Sequence, residues 1–363
     1  MKTFNKIKNT GLALIAFTAM LSACNKAPMD PVPNKPPSQG TTPTLATLLD
    51  DPEFSILKAA VAKARLGTIL GNANLRYTVF APNDAAFIAS GIPSADIINN
   101  NAILDTPTVT ALVSYHIVPQ VISSASIPQS FPNFQYPTIF NPAPQLSALL
   151  RLTTFPSRRP NGNWVNNIPI TQLDVQAVNG VLHKVARVVA PPSQYLWNRI
   201  DNDPDLTYLK AAIIRADEGT GTLQAALLNI GANLTVFAPN NAAMSSLLIA
   251  LGLPDNPATF NALPVETVKG IVVYHILGTR AFTNNIFTEP TLVPTLLNGG
   301  VPAHPGVSID ADFAGPFVTA ATAKGAANAN ASNVIINPAP NGSSDQHYLN
   351  GVLHKIDQVL LPQ

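Results

Sequence analysis

Apolar residues recur with helical spacing at two places in the chain. The spacing is i, i+3, i+4, i+7 and i+8, which puts these side chains on one face of an α-helix. The first set is Val109, Leu112, Val113, His116 and Ile117, and the second is Val268, Ile271, Val272, His275 and Ile276. We therefore predict two amphipathic helices, each with a histidine embedded in its apolar face.

Short apolar runs at 77–80 and 234–237 have the character of β-strands, and each is followed by Ala-Pro. Because proline cannot donate to a sheet ladder, we expect each strand to stop there. Asn83 and Asn240 come next and suit a helix start. Asp51 and Asp203 each precede a proline and a helical apolar pattern, which predicts capped helices with proline in the first position.

An Asn-Gly pair lies between apolar runs at 179–180 and again at 350–351. This dipeptide is the strongest short-range signal for a β-hairpin, since both central residues of a type I′ turn need positive φ. We predict two such hairpins, with a terminal strand closing the sheet after each one.

The matching blocks show that the chain contains an internal duplication. Four blocks recur in the same order, with offsets that grow from 152 to 171 residues. A period this long indicates two complete domains and not a solenoid of short repeats. The predicted boundaries are 42–191, called copy one below, and 192–363, called copy two.

The shared blocks resemble the fasciclin (FAS1) domain. They are a strand ending in TVFAP and followed by Asn, a mid-domain Tyr-His pair, and a C-terminal N-G-V-L-H sequence, each present twice. The resemblance implies an α+β fold in which each domain is a wedge-shaped β-sandwich flanked by helices. It also implies a role in cell adhesion or matrix binding, with partner contact at the Tyr-His segments, Tyr115, His116, Tyr274 and His275.

The first 23 residues have the form of a signal peptide. Three lysines precede an apolar run at 11–21, which is too short for the roughly 20 residues of a membrane-spanning helix. The sequence Leu-Ser-Ala-Cys at 21–24 resembles the lipobox of bacterial lipoproteins, which implies cleavage before Cys24 and lipid attachment there. Asn25 in place of Asp favours the outer membrane. The alternative is a simple secretory peptide followed by a chance cysteine.

Residues 24–41 are rich in proline and resemble an extended tether between the anchor and the first domain. A disordered tail with no spacing role is the alternative.

Losing the three lysines of the signal peptide changes the formal net charge from +1 to −2. Nothing in this charge balance indicates nucleic-acid binding. The single cysteine excludes an intramolecular disulfide and any cluster of cysteine ligands.

Four of the six histidines occupy repeat positions, namely His116, His183, His275 and His354. Metal or catalytic pairs are one interpretation. We favour core histidines that bond to backbone groups, because a buried polar group must be satisfied. Asp310, Asp312, Asp345 and His347 match no EF-hand spacing, and we assign them to solvated loops. We predict no metal and no cofactor.

Sequence motifs for enzymes are missing. The chain has no G-x-S-x-G, H-E-x-x-H, Walker A or G-x-G-x-x-G motif, and no pair of carboxylates stands out for glycoside hydrolysis. We therefore predict a binding protein and not an enzyme.

The two copies differ between the Tyr-His and N-G-V-L-H blocks. Copy one has six aromatic residues between 131 and 164, with Trp164 among asparagines. An exposed Trp164 would suit a sugar face or a protein partner, whereas a strand in a sandwich would bury it. Copy two has Gly, Ala, Asn and Ser at 319–333, which we predict to be a mobile surface loop.

Three functions follow from these features. The preferred one is a lipid-anchored envelope protein that displays two fasciclin-like domains for adhesion or partner binding, at the cell surface or facing the periplasm. Its partner would be a protein or a polysaccharide, and its membrane contact the lipid anchor. The second is an accessory glycan-binding lipoprotein of a nutrient-uptake system. The third is a structural envelope protein.

Overall fold

A computed structural model describes residues 42–363. The predicted signal peptide, the lipidation site Cys24 and the tether lie outside the described residues. Within 42–363, no helix combines the length and the apolar character needed to cross a membrane.

The described residues contain eleven α-helices, some of them a single turn. They are α1 Leu45–Leu48, α2 Ser55–Lys63, α3 Gly67–Gly71, α4 Asp84–Ala89, α5 Ala95–Asn100, α6 Thr106–Tyr115, α7 Leu196–Asn202, α8 Thr207–Ala216, α9 Thr222–Leu227, α10 Asn241–Ala250 and α11 Val265–Tyr274. Short 3₁₀ helices lie at Pro52–Phe54, Ser124–Ser126, Pro257–Ala262, Thr283–Asn285 and Leu296–Gly299.

Sixteen strands alternate with these helices over the same residues. They are β1 Tyr77–Pro82, β2 Ile117–Val118, β3 Tyr136–Pro137, β4 Thr153–Thr154, β5 Pro156–Arg159, β6 Gly162–Val165, β7 Ile168–Ala177, β8 Gly180–Val185, β9 Leu234–Pro239, β10 Ile276–Leu277, β11 Thr291–Val293, β12 Val307–Ala314, β13 Phe317–Lys324, β14 Ser332–Asn333, β15 Gln346–Tyr348 and β16 Gly351–Ile356. The mixture of helices and sheets in two repeated units confirms the predicted α+β class.

Each copy is built on a sheet that contains one parallel pair of strands. In copy one the order is β2-β1-β8-β7-β6-β5, and β3 pairs with β4. In copy two the order β10-β9-β16-β15 repeats the first four positions, and β11-β12-β13-β14 form a second sheet. The strand from TVFAP therefore lies beside the strand from N-G-V-L-H in both copies, with Tyr77 opposite Gly180 and Leu234 opposite Gly351.

The apolar faces predicted from the sequence form the cores, but the helices end at Tyr115 and Tyr274, so Ile117 and Ile276 lie on β2 and β10 and not on the predicted helical faces. In copy one, Val109 and Val113 of α6 pack with α2, β1 and β8. In copy two, Val268 and Val272 of α11 belong to the equivalent cluster. The two sheets of copy two enclose a further cluster that includes Val307 and Ile356. The sandwich and its flanking helices are thus held mainly by buried aliphatic surface.

The helix starts after TVFAP are as predicted. The Asn83 side chain accepts a hydrogen bond from the Ala86 N–H at 3.0 Å, and Asn240 accepts from Ala243 at 2.8 Å. The preceding strands end at Ala-Pro, as predicted, with Pro82 and Pro239 as their last residues.

The predictions for Asp51 and Asp203 are each partly right, because both carboxylates cap a short turn and not the α-helix that follows it. Asp51 caps the 3₁₀ turn at Pro52–Phe54. In copy two the helix begins only at Thr207, but the Asp203 carboxylate accepts from the Asp205 N–H at 3.0 Å and also forms ion pairs of 2.9 Å with Arg199 and Lys355. These largely buried cations share the carboxylate with the turn that it caps.

The hairpins are confirmed, but their turn type is not. The pairs Ala177–Gly180 and Tyr348–Gly351 close the hairpins, so the turn residues are 178–179 and 349–350, and neither asparagine has positive φ. Each asparagine is fully buried. Asn179 accepts from the Leu45 N–H at 2.8 Å and donates to the Leu70 carbonyl at 2.7 Å, so its side chain ties α1 and α3 to the sheet.

The prediction of a surface loop at 319–333 is wrong at both ends, whereas residues 325–331 form no helix or strand. Residues up to Lys324 belong to β13, and Ser332 and Asn333 form β14. Small residues suit this position because Ala321 and Ala323 face the core between the two sheets of copy two.

Candidate functional site

The four Tyr-His residues lie at the ends of α6 and α11, and all are at most 2% exposed. The Tyr115 hydroxyl donates to the Thr153 carbonyl at 2.9 Å, and the Tyr274 hydroxyl donates to the Gly306 carbonyl at 2.6 Å. Burial raises the pKa of Tyr115 to about 12. Partner contact at these residues stays a prediction, and in this conformation the four side chains reach almost no solvent.

Both histidines of these pairs are satisfied by backbone groups. In His116, Nδ1 donates to the Leu112 carbonyl at 2.8 Å, and Nε2 accepts from the Val189 N–H at 3.0 Å. His275 repeats the arrangement with Ile271 and Leu360. These bonds require the neutral ring, and burial lowers the pKa of each histidine to about 4. The expectation of core histidines bonded to backbone is confirmed here.

This arrangement predicts a loss of stability in mild acid. The unfolded state takes up protons on His116 and His275 below pH 6.5, whereas the folded state does so only near pH 4. Acid therefore favours unfolding, and each histidine should lower the free energy of unfolding by about 3 kcal/mol as pH falls from 6.5 to 4.

Urea unfolding midpoints at pH 7, 6 and 5 measure this effect before most carboxylates titrate. The double variant His116→Asn with His275→Asn should be less stable at pH 7 but less sensitive to pH. A midpoint that is constant or rises from pH 7 to pH 5 in the native chain would contradict the prediction.

The two histidines of the N-G-V-L-H blocks are also buried and bonded to backbone groups, as predicted, but sequence analysis missed the aspartate that supplies one of these groups. The Asp174 N–H donates to His183 Nδ1 at 3.1 Å, and the Asp345 N–H donates to His354 Nδ1 at 3.2 Å. Both aspartates have positive φ. Their carboxylates accept from Ser124 in copy one and from Thr283 in copy two. The signal was present, since an aspartate stands nine residues before the histidine in both copies.

Replacing Asp345 with alanine should lower the free energy of unfolding by about 2–3 kcal/mol, because the buried Thr283 N–H and hydroxyl would lose their acceptor. Chemical denaturation followed by circular dichroism measures this. Asp312→Ala is the matched control, since Asp312 is exposed on β12. Equal destabilisation by the two substitutions would rule out this role for Asp345.

Trp164 is not an exposed aromatic. It lies on β6 of copy one and is 1% exposed. Its Nε1 donates to the Pro316 carbonyl of copy two at 3.1 Å, and its ring centroid lies 6.4 Å from that of Phe313. Trp164 therefore anchors copy one against the hairpin turn between β12 and β13, and offers no face to a ligand.

Hydrogen bonds extend this junction between the copies. Asn284 donates to the Asn166 carbonyl at 3.1 Å, and Asn285 donates to the Ser157 hydroxyl at 2.9 Å. Arg159 donates back to the Asn285 carbonyl at 3.1 Å. These groups are largely buried, so they hold the two copies in one orientation.

A buried cation lies at the same junction. Arg280 is 4% exposed, and its guanidinium carbon lies 4.8 Å from the ring centroid of Phe155 in copy one. It donates to His347 Nε2 at 2.7 Å and to the Leu349 carbonyl. Burial lowers the pKa of Arg280 to about 10, and burial and then the charge of Arg280 lower the pKa of His347.

The assignment of four acidic and histidine residues to solvated loops is wrong. Asp310 and Asp312 lie on β12, His347 lies on β15, and Asp345 is buried against Thr283. Strand pairing holds Asp310, Asp312 and His347 in place, and hydrogen bonds from Thr283 hold Asp345. Over the described part of the chain, no three His, Cys, Asp or Glu side chains are grouped to hold a metal ion.

A cleft of about 480 Å³ opens beside this junction. One wall, from copy one, carries Arg158 and Arg159. The other wall, from copy two, carries Phe287, Phe313 and two carboxylates. The full lining is Gln129, Arg158, Arg159, Pro160, Asn161, Ile286, Phe287, Thr288, Glu289, Thr291, Ala311, Asp312 and Phe313. In this part of the described chain, the cleft brings together aromatic and charged side chains from both copies.

Comparison with known proteins decides the family. The model of the fasciclin domain matches residues 52–191 and 209–362, which is most of the chain. The chain belongs to the fasciclin domain family. This is a non-enzymatic, adhesion-type family whose domains are found in cell adhesion proteins. The resemblance drawn from the repeated motifs is therefore confirmed.

The curated relatives are 26–28% identical to the chain over the segments that align. Transforming growth factor-beta-induced protein ig-h3 of Sus scrofa is 28% identical over 174 residues, which are 45% of this chain. The chain spans 22% of the length of that relative and of its counterpart in Oryctolagus cuniculus. Protein sll1483 of Synechocystis is 26% identical over 159 residues, or 43% of this chain and 79% of that protein.

Among solved structures, the chain is similar to a FAS1 domain pair from the insect cell adhesion molecule Fasciclin I. The TM-score is 0.36 and the sequence identity 17%, over 85% of this chain and 97% of that one.

Proposed function

We propose that this protein is a lipid-anchored adhesion protein of the bacterial outer membrane that presents its two fasciclin domains at the cell surface. The observation that carries the proposal is the presence of an adhesion-type domain twice in one chain. The lipobox-like sequence ending at Cys24 supports the anchor, and the proline-rich segment 24–41 supports a spacer. One chain with several acyl groups would remain firmly in a leaflet.

The binding surface of this adhesin is expected outside the family motifs. The positions that are identical in the two copies, such as Tyr115, His116 and Asn179, are buried and hydrogen-bonded within the fold. Their role in the fold is to fix strands and helices in place. Exposed residues that differ between the copies are therefore better candidates for partner contact.

Adhesion of a deletion strain tests this function. Attachment to matrix-coated surfaces and to sister cells should fall, and a plasmid copy of the native gene should restore it. A copy carrying Cys24→Ser is the matched control, since it keeps the domains but should release them from the membrane and fail to restore attachment. Unchanged attachment of the deletion strain on every surface would contradict the proposal.

The alternative of a glycan-binding lipoprotein rested on the aromatic residues of copy one, with Trp164 foremost. Trp164 does not support it, because the indole is 1% exposed and occupied by the β12–β13 turn. A glycan contact would have to use another part of the surface.

A further inference from the structure

The cleft between the copies has a cationic wall without a carboxylate partner. Within residues 42–363, neither Arg158 nor Arg159 forms an ion pair. Arg159 donates to carbonyls, including that of Asn285, but its Nε is shielded from solvent and has no partner. Burial lowers the pKa of Arg159. Desolvation of a half-buried guanidinium without a counter-charge costs free energy, and a bound anion would offset that cost.

The opposite wall limits the kind of anion. Phe287 and Phe313 are half-buried, so part of each ring faces the cleft. Glu289 and Asp312 are exposed on the same wall and can accept hydrogen bonds from hydroxyl groups. These two carboxylates would repel a ligand that carries negative charge along its whole length. They suit a ligand with one carboxylate and several hydroxyls.

We propose that this cleft binds a saccharide carrying one uronic acid, with its carboxylate on Arg158 and Arg159, its hydroxyls toward Glu289 and Asp312, and a sugar face on the phenylalanine rings. A volume of about 480 Å³ lies in the range of small-ligand sites, about 300–1,000 Å³. The proposal builds on the adhesive function by naming the chemistry of a partner. The site needs both copies, since each supplies one wall.

Titration of the purified full chain in detergent tests the site without cells, so its failure is separate from failure of the adhesion assay. The probe is an aldobiouronic acid, a disaccharide of one uronic acid and one neutral sugar. Its carboxyl-reduced form is the neutral control. Calorimetry should show binding of the acid and at least tenfold weaker binding of the reduced form, since a charge-assisted hydrogen bond contributes about this factor or more.

Arg158→Gln should weaken binding of the acid at least tenfold while leaving the circular dichroism spectrum unchanged. Arg151→Gln is the matched control, because Arg151 is exposed in the same copy and donates to carbonyls of its own loop. No binding of the acid, equal binding of the reduced form, or equal effects of the two substitutions would overturn the proposal. Tighter binding of a polyglutamate peptide would overturn it as well.

Discussion

Replacing Trp164 with alanine is expected to lower the free energy of unfolding by about 3–5 kcal/mol, the usual cost of deleting a buried tryptophan. The indole is 1% exposed and is shared between the copies, because it packs near Phe313 and donates to the Pro316 carbonyl. Its loss would leave a cavity and an unpaired carbonyl at the junction. The effect should appear as a lower denaturant midpoint by circular dichroism, and as faster proteolysis at the junction.

Phe134→Ala is the matched control for this substitution. Phe134 lies in the same aromatic-rich stretch of copy one but is 59% exposed. Its truncation should change the free energy of unfolding by less than about 1 kcal/mol. Equal effects of the two substitutions would show that Trp164 is not the anchor of the junction.

Replacing Gly180 with alanine should prevent copy one from folding in its native register. A Cβ atom at this position would lie 1.9 Å from the carbonyl oxygen of Tyr77, which belongs to the neighbouring strand β1. The φ of Gly180 is +150°, which other residues rarely adopt. Because β1 and β8 are paired strands inside the sheet, relief of the clash would require separating them, and we expect the free energy of unfolding to fall by more than about 4 kcal/mol.

Gly270→Ala gives the opposite expectation and serves as the control. Gly270 lies inside α11, and nothing comes within 4 Å of a Cβ atom built there. The substitution should raise the free energy of unfolding by about 0.5–1 kcal/mol, because alanine favours the helix. Soluble expression and thermal melting of both variants compare the two. A native-like melting temperature for Gly180→Ala would contradict the predicted clash.

Local signals in the sequence were sufficient to predict much of the fold. Asn83 and Asn240 were recognised as helix starts because capping depends on a few neighbouring residues. The helices ending at Tyr115 and Tyr274 were recognised by periodicity, and the duplication by repeated blocks. The prediction that His116 bonds to backbone groups also holds, because a buried polar side chain needs hydrogen-bond partners wherever it lies in the fold.

What the sequence could not predict depends on contacts between distant residues. The asparagines at 179 and 350 looked like turn residues, yet their side chains bond to helices more than 100 positions away. Trp164 is buried by a turn 152 positions away, and no local pattern shows that partner. Asp203 caps the turn that follows it, as local rules predict, but its ion pair with Lys355, 152 positions away, has no local signal. The cleft at the junction was missed for the same reason, since each copy supplies only one wall.

Protease treatment of intact cells tests the proposed surface display most directly. The native chain and a Cys24→Ser variant are compared by immunoblotting with an antibody to residues 42–363, and a periplasmic protein checks that cells stay intact. Surface display predicts that protease removes the native domains from whole cells while the periplasmic marker survives. Full protection of the native domains in intact cells, with digestion only after lysis, would contradict it.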